Sequence, residues 1–499
     1  MSILYSNYFF KNDKVKIPLF ISGKPVHSKY NPQKEAENFI NTIDDADFFV
    51  VFGLGAGFHI EALKNKFPSA KILAADFYEE DVNFLKENFQ ILSSLEKSVI
   101  FSTFKNFSTD LKKNYIPAKY KKLSALFLPS WKNANETEFE NFKKLFDSVL
   151  KEISLDFSTQ SHFGKIWQKN IIKNIFLKKK QEEIFIDTRK TACIIAAGPS
   201  LDETVKSLQN ENENFIIATD TSYKILLKYN IFCDAVVSVD GQFVSKEHFT
   251  KKIDKETLFI LDYASNPLIT EKIIKNKNKN IFFSSGHPLT LYAEKTSSTN
   301  NILKLNSGSG TVTICALDFA IKAGFSKIKI FASDFSFKNN KPYAKGSYLD
   351  DIFMQNQTKF SPLEKQFTSL MYRTKTELNE ENIKTTEILN QYKSSFFSVI
   401  KNSDYETKTE KNIITLQSKT KKNSQIFFSS INFSIFSKIL KENTENLIRN
   451  PELFFNSDFE TALLPYISFL RTKKENENVS YKELLVKAAK SLERLIESL

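Results

Sequence analysis

Short, wholly apolar runs alternate with stretches whose apolar residues recur every three or four positions, and this alternation predicts strands joined by helices. Near the N-terminus Phe48–Phe52 is an apolar run of strand type. A turn follows, Gly53-Leu54-Gly55-Ala56-Gly57, then helical spacing from Ile60 to Phe67 and a second strand, Lys71–Ala75, that ends on Asp76. Between Asp156 and Glu183 the residues Phe163, Ile166, Trp167, Asn170, Ile171 and Ile175 fall mostly three or four apart, which predicts a connecting helix with one buried face. From Thr191 the alternation becomes regular. Strands are expected at Ala192–Ala196, Phe215–Ala218, Asp234–Val239, Leu258–Leu261, Asn280–Phe283 and Ile328–Phe331, with helices from Leu201, over Tyr223–Lys228, and over Val312–Ala323, stopped by Gly324. After Gly346 there is no glycine, and Leu363–Ile400 and Tyr481–Leu499 mix Glu, Lys and Leu at helical spacing; Ile413–Leu416 reads as one added strand. Strands separated by helices imply a doubly wound, mostly parallel sheet. The expected organisation is α/β throughout: a smaller N-terminal α/β domain at 1–155, the doubly wound central domain at 156–350, and a helical C-terminal domain at 351–499.

Glycine sharpens this picture. The 499 residues hold only 12 glycines, and six fall at strand-to-helix turns: Gly53, Gly55 and Gly57, then Gly198, then Gly308 and Gly310. Glycine lets a backbone adopt positive φ or approach a ligand closely. The first turn, with Asp76 at the next strand end, has the Rossmann-like grammar in which a helix N-terminus meets a phosphate and an acid holds a ribose. A GxGxG turn alone is a weak signal, and a structural Rossmann-like domain that no longer binds anything is the favoured reading. The second turn, Ala197-Gly198-Pro199-Ser200-Leu201, places proline at a helix start and predicts amides pointing at an anion. Ligands of doubly wound sheets lie beyond the carboxyl ends of the strands, so Ser200, Asp220, Asp240, Ser307 and Asp334 are candidates, with Thr219, Gly308, Ser309, Thr311, Phe335 and Tyr343 beside them.

Composition and charge exclude several classes. No uncharged apolar stretch reaches the length of a membrane span, and the first residues show neither a basic leader nor a small-residue cleavage site. Cys193, Cys233 and Cys315 sit in separate apolar runs, as buried thiols do, so a cytoplasmic protein is expected. The net charge of +12 comes from dispersed lysines in a chain also rich in Asn, Ile and Phe, all with A/T-rich codons. A solvated basic surface, with no nucleic-acid partner, follows. No paired-acid metal pattern is evident, because Asp240 lacks a partner acid; metal independence and no cofactor are expected.

Four segments carry a family resemblance: "IIAAGPSLDE", the stretch from "IIATDTS" to "DAVVSVDGQ", "SGSGTVTICALDFAIKAGFSKIKIFASDFSF" and "KPYAKG". In this order they resemble the motility accessory factor family, the flagellin glycosyltransferases of bacteria, and the central part is similar to bacterial CMP-sialic acid sialyltransferases. The resemblance implies transfer of a nonulosonic acid, of pseudaminic or legionaminic type, from its CMP-activated donor to Ser or Thr of flagellin in the cytoplasm. It implies a donor site built from Gly198, Pro199, Ser200, Leu201, Thr219, Asp220, Ser307, Gly308, Ser309, Thr311, Phe335 and Tyr343. The sialyltransferases supply a histidine after their Tyr-Ala motif, whereas no histidine follows His287 here. Asp240 and Asp334 are the preferred bases, with His287 third. Archaeal hydroxymethyl-dihydropterin diphosphokinases also resemble the "GPSL" region and use ATP. Methyl transfer by the Gly53–Asp76 unit, and a non-catalytic flagellin-binding factor with a relic pocket, are the other readings.

Overall fold

A computed structural model describes residues 3–11, 15–178, 184–210, 214–249, 253–297, 302–307, 310–379, 382–410, 413–418 and 429–499. The chain forms two compact units: Met1–Gly164 with Pro465–Leu484, and Lys165–Leu464 with Leu485–Leu499.

The first unit holds strands β1 (Tyr5–Lys11) and β2 (Val15–Phe20), an antiparallel hairpin, and β3 (Phe48–Phe52), β4 (Lys71–Asp76), β5 (Val99–Thr103) and β6 (Leu123–Phe127). The last four make a parallel sheet in the order β5-β4-β3-β6. All five residues of β3 are buried, which is why its sequence is a continuous apolar run with no alternation.

The second unit holds β7 (Thr191–Ile195), β8 (Asn214–Thr219), β9 (Ala235–Ser238), β10 (Leu258–Asp262), β11 (Asn280–Ser284), β12 (Leu303–Lys304), β13 (Lys327–Phe331), β14 (Thr376–Leu378), β15 (Lys384–Thr386), β16 (Tyr405–Glu410) and β17 (Ile413–Ser418). Nine of them form one sheet ordered β12-β11-β10-β9-β8-β7-β13-β17-β16. The strands from β12 to β13 are parallel; β17 and β16 add antiparallel. The chain winds outward from β7 to β12 and then returns to place β13 on the other side of β7. The direction of winding reverses between β7 and β13, so the crevice beyond these two strand ends is where this architecture favours a ligand.

Two expectations need revision. The connecting helix is longer than its apolar stripe indicated and runs from Glu136 to Leu177, while 179–183 lie outside the described residues. Asn170 and Asn174, one turn apart, are buried because their amides donate to carbonyls of the loops after β9 and β10: Gly241 and Ala264 at 2.9 and 3.0 Å, Tyr263 and Ser265 at 2.8 Å each. Leu363–Ile400 is two helices, Leu363–Met371 and Glu387–Lys401, separated by the β14–β15 hairpin. Threonines favour extended backbone there, and Asn382 at φ 60° takes the left-handed position of the turn. Among the described residues no helix is long and apolar enough to cross a membrane.

Candidate active site

The loop after β7 and the loop after β13 are bound to each other. Ala196 N and Gly198 N donate to the carbonyls of Phe331 and Ala332, both at 3.0 Å, and Ser200 N donates to Asp334 Oδ2 at 2.8 Å. Glycine is required at 198 by close approach: a Cβ there would overlap the Ala332 carbonyl and the Asp334 carboxylate. The partner loop is strained, with Ala332 at φ 56° and Phe335 at φ 48°. Non-glycine residues rarely adopt that region, and such outliers cluster where a loop must aim side chains.

This arrangement changes the reading of the glycine turn. Its amides do not face an external anion: Gly198 N and Ser200 N are taken as described, and Leu201 N donates to Gly198 O at 3.0 Å. The helix that follows, Leu201–Thr204, is four residues long and passes into a 3₁₀ turn. Pro199, Ser200 and Leu201 are buried beneath the turn, and Ser200 Oγ has no partner among the described residues. The charge held by the Ser200 amide is the protein's own, Asp334.

In front of the two loops lies a cleft of about 440 Å³, within the usual range of small-ligand sites. Of the residues singled out in the sequence, Gly198, Thr219, Thr311, Asp334, Phe335 and Tyr343 line it. Thr219 caps the helix Asp220–Lys228, accepting from Ser222 N at 3.3 Å. Thr311, with Val312 and Thr313, brings the first turn of the helix Val312–Ala323 to the cleft. The leading N–H groups of such a 12-residue helix have no acceptor within it and carry its positive end. Tyr343 is fixed by its neighbour, since Ala344 N donates to Ala197 O at 2.9 Å. Burial, and then the nearby Tyr348 and Asp220, push its phenol well up, so it remains a hydrogen-bond donor at neutral pH.

Other candidates are committed elsewhere. Asp220 is buried, accepting from Thr221 N at 2.7 Å and Ser238 Oγ at 2.9 Å. Asp240, just past β9, accepts from Gln242 N at 2.9 Å; burial raises its pKa and Asp220 adds to the rise. Neither lines the cleft. Ser307 O accepts from Gly310 N and Thr311 N at 3.0 Å, while Gly308 and Ser309 lie outside the described residues. His287 caps the helix Pro288–Thr296, its Nδ1 accepting from Leu289 N at 3.1 Å, and burial lowers its pKa to about 3. A neutral, buried cap is poorly placed to serve as the base.

Sequence reasoning missed a second wall. Met371, Arg373, Thr386, Leu389 and Tyr392 also line the cleft, although they fall in the part read as a helical tail. One signal was available: only five of the 70 basic residues are arginine, so an arginine in a lysine-biased chain stands out.

The turn of the first unit is filled from within. Asp76 accepts from Tyr5 Oη at 2.7 Å, Phe77 N at 2.9 Å, Leu54 N at 3.0 Å and Trp131 Nε1 at 3.1 Å. A Cβ on Gly53 would come within 2.6 Å of the Trp131 ring, and one on Gly55 would overlap His27. The glycines admit side chains of this protein, Trp131 at Gly53 and His27 at Gly55. His27 Nε2 accepts from Ala56 N at 2.9 Å, which takes another amide of the turn.

A family described as "6-hydroxymethylpterin diphosphokinase MptE-like" matches residues 165–340. An uncharacterized protein of Treponema pallidum (strain Nichols) is 40% identical over 142 residues, 28% of this chain and 49% of that protein. A second protein of the same organism, also uncharacterized, is 28% identical over 145 residues, 28% of this chain and 67% of that one. The chain thus spans about half the length of the first of these relatives. The solved structure of the MAf glycosyltransferase from Magnetospirillum magneticum AMB-1 is similar over all of this chain and 87% of its own, at 11% identity and a TM-score of 0.51. At that identity the likeness is one of fold.

Proposed function

We propose that this protein is a glycosyltransferase that moves a nonulosonic acid from its CMP-activated form to serine or threonine of flagellin, in the cytoplasm and without a metal. One observation carries the reading: the crevice where the sheet's winding reverses gathers Gly198, Thr219, Thr311, Asp334, Phe335 and Tyr343 into a single cleft. The fold shared with a MAf glycosyltransferase along the whole chain supports it.

In this mechanism the bond from the anomeric carbon to the phosphate oxygen breaks through an oxocarbenium-like state, and its electron pair leaves with CMP. The first turn of Val312–Ala323 and the Tyr343 hydroxyl meet the growing negative charge, where fixed donors act best. The acceptor hydroxyl attacks the same carbon and passes its proton to Asp334, which the Ser200 amide holds at the cleft. Asp240, outside the cleft lining, gives way to Asp334 in this role.

A second reading has its own support, since the matched family is named for a diphosphokinase. Ligand-dependent melting separates the two. CMP and CDP are expected to raise the melting temperature and ATP to leave it unchanged, as ligands at 100 times their Kd stabilise by about 2.7 kcal/mol. Stabilisation by ATP alone transfers the protein to the diphosphokinase reading. Flagellin of unchanged intact mass in a strain lacking the gene removes the transferase claim.

A further inference from the structure

We infer that Arg373 selects an acidic sugar: its guanidinium holds the donor's carboxylate while the leaving phosphate lies at the first turn of Val312–Ala323. The inference rests on the glycosyltransferase reading and assigns the residue that recognises the carboxylate of its donor.

Among the described residues, two charged side chains line the cleft, Asp334 and Arg373. Asp334 is engaged by the Ser200 amide. Arg373 is exposed and forms no ion pair among the described residues. It follows directly on the helix Leu363–Met371 and shares its wall with Met371, Leu389 and Tyr392. A ligand that seats against those apolar groups also strips water from the guanidinium.

The sign of the resulting selectivity follows from elementary electrostatics. Covering an unpaired cation with a neutral sugar is unfavourable, because its hydration is lost with no anion in return. Covering it with a carboxylate restores the interaction, and the planar guanidinium matches the two oxygens in a bidentate pair that lysine cannot reproduce. A phosphate could be held by the same fork. A nucleotide-linked sugar acid, however, carries two anionic groups, and the cleft offers two features that favour them, the helix start at Thr311–Thr313 and Arg373.

Titration calorimetry with CMP and with CMP-N-acetylneuraminic acid, on the wild type, Arg373→Gln and Arg373→Lys, tests the assignment. The exposed position predicts that both variants melt as the wild type does. Arg373→Gln is expected to weaken the sugar nucleotide by about tenfold or more, the size of a charged hydrogen bond, and CMP by less than about twofold. Arg373→Lys should fall between. Equal losses for both ligands mean that Arg373 holds the phosphate, and no loss for either means that it holds nothing; both overturn the inference and leave the transferase reading standing. A wild type that binds ATP and neither CMP ligand overturns both.

Discussion

The pairing of Gly198 with Asp334 decides what the glycine turn does. Hydrogen to methyl at 198 drives a Cβ into the Ala332 carbonyl and the Asp334 carboxylate, and both belong to a loop with two positive-φ residues and little room to yield. Gly198→Ala is expected to destabilise the second unit by about 1–3 kcal/mol, as overpacking does, and to displace the carboxylate from the Ser200 amide. Urea denaturation measures the first effect, and a transferase assay corrected for folded fraction measures the second. Wild-type values in both would mean that the loops are not in this contact. Each of the two residues was visible in the sequence at a strand end. Their contact was not, because 134 positions separate Ser200 from Asp334, and only the β7–β13 pairing brings the loops together.

Among elements, the turn after β3 shows where pattern reading stops. Its three glycines and the acid that ends β4 spell the same motif whether a nucleotide or a side chain fills the space. The fillers, Tyr5, His27 and Trp131, lie elsewhere in the chain, and no local spacing connects them to it. The mostly buried parallel strands β3, β4, β7–β11 and β13 were legible, because they write long apolar runs; β5 and β6, with partly exposed positions, were not, nor were β14 and β15, whose three residues carry too few positions to show a period. The filling also makes the first unit sensitive to acid. Burial lowers the pKa of His27 to about 3 and of His59 to about 4, from 6.5 when unfolded. A depressed pKa contributes stability that is complete above 6.5 and is lost as pH falls towards those folded values. Asp76 opposes them: burial raises it from 3.8 to about 6, so its contribution is present below 3.8 and lost as pH rises through 6. Two imidazoles act against one carboxylate, and net destabilisation is expected between pH 6.5 and 4. His27→Gln, which keeps an acceptor for the Ala56 amide, should flatten the fall in denaturation midpoint from pH 7 to pH 5. A slope identical to the wild type's would mean that His27 is not held neutral.

For the molecule as a whole, the sheet that builds the cleft reaches well beyond the segment with family likeness. The match ends at residue 340, yet β17 pairs with β13 from Lys327 to Phe331, and Leu416 is wholly buried in the same core. The second wall of the cleft comes from this later part too. Leu416→Ala is therefore expected to cost about 2–5 kcal/mol, the range for a buried leucine, and to lower the melting temperature of the unit that carries the site. An unchanged melting temperature would show that the unit does not depend on β17.

The chain holds two tryptophans, and the compact units hold one each. Trp131 is packed in the filled turn of the first unit, and Trp167 lies in the second with its ring 5.4 Å from His287. Replacing either indole with phenylalanine leaves a native fluorophore in one unit only, so emission spectra can follow the melting of each half separately, with no dye attached.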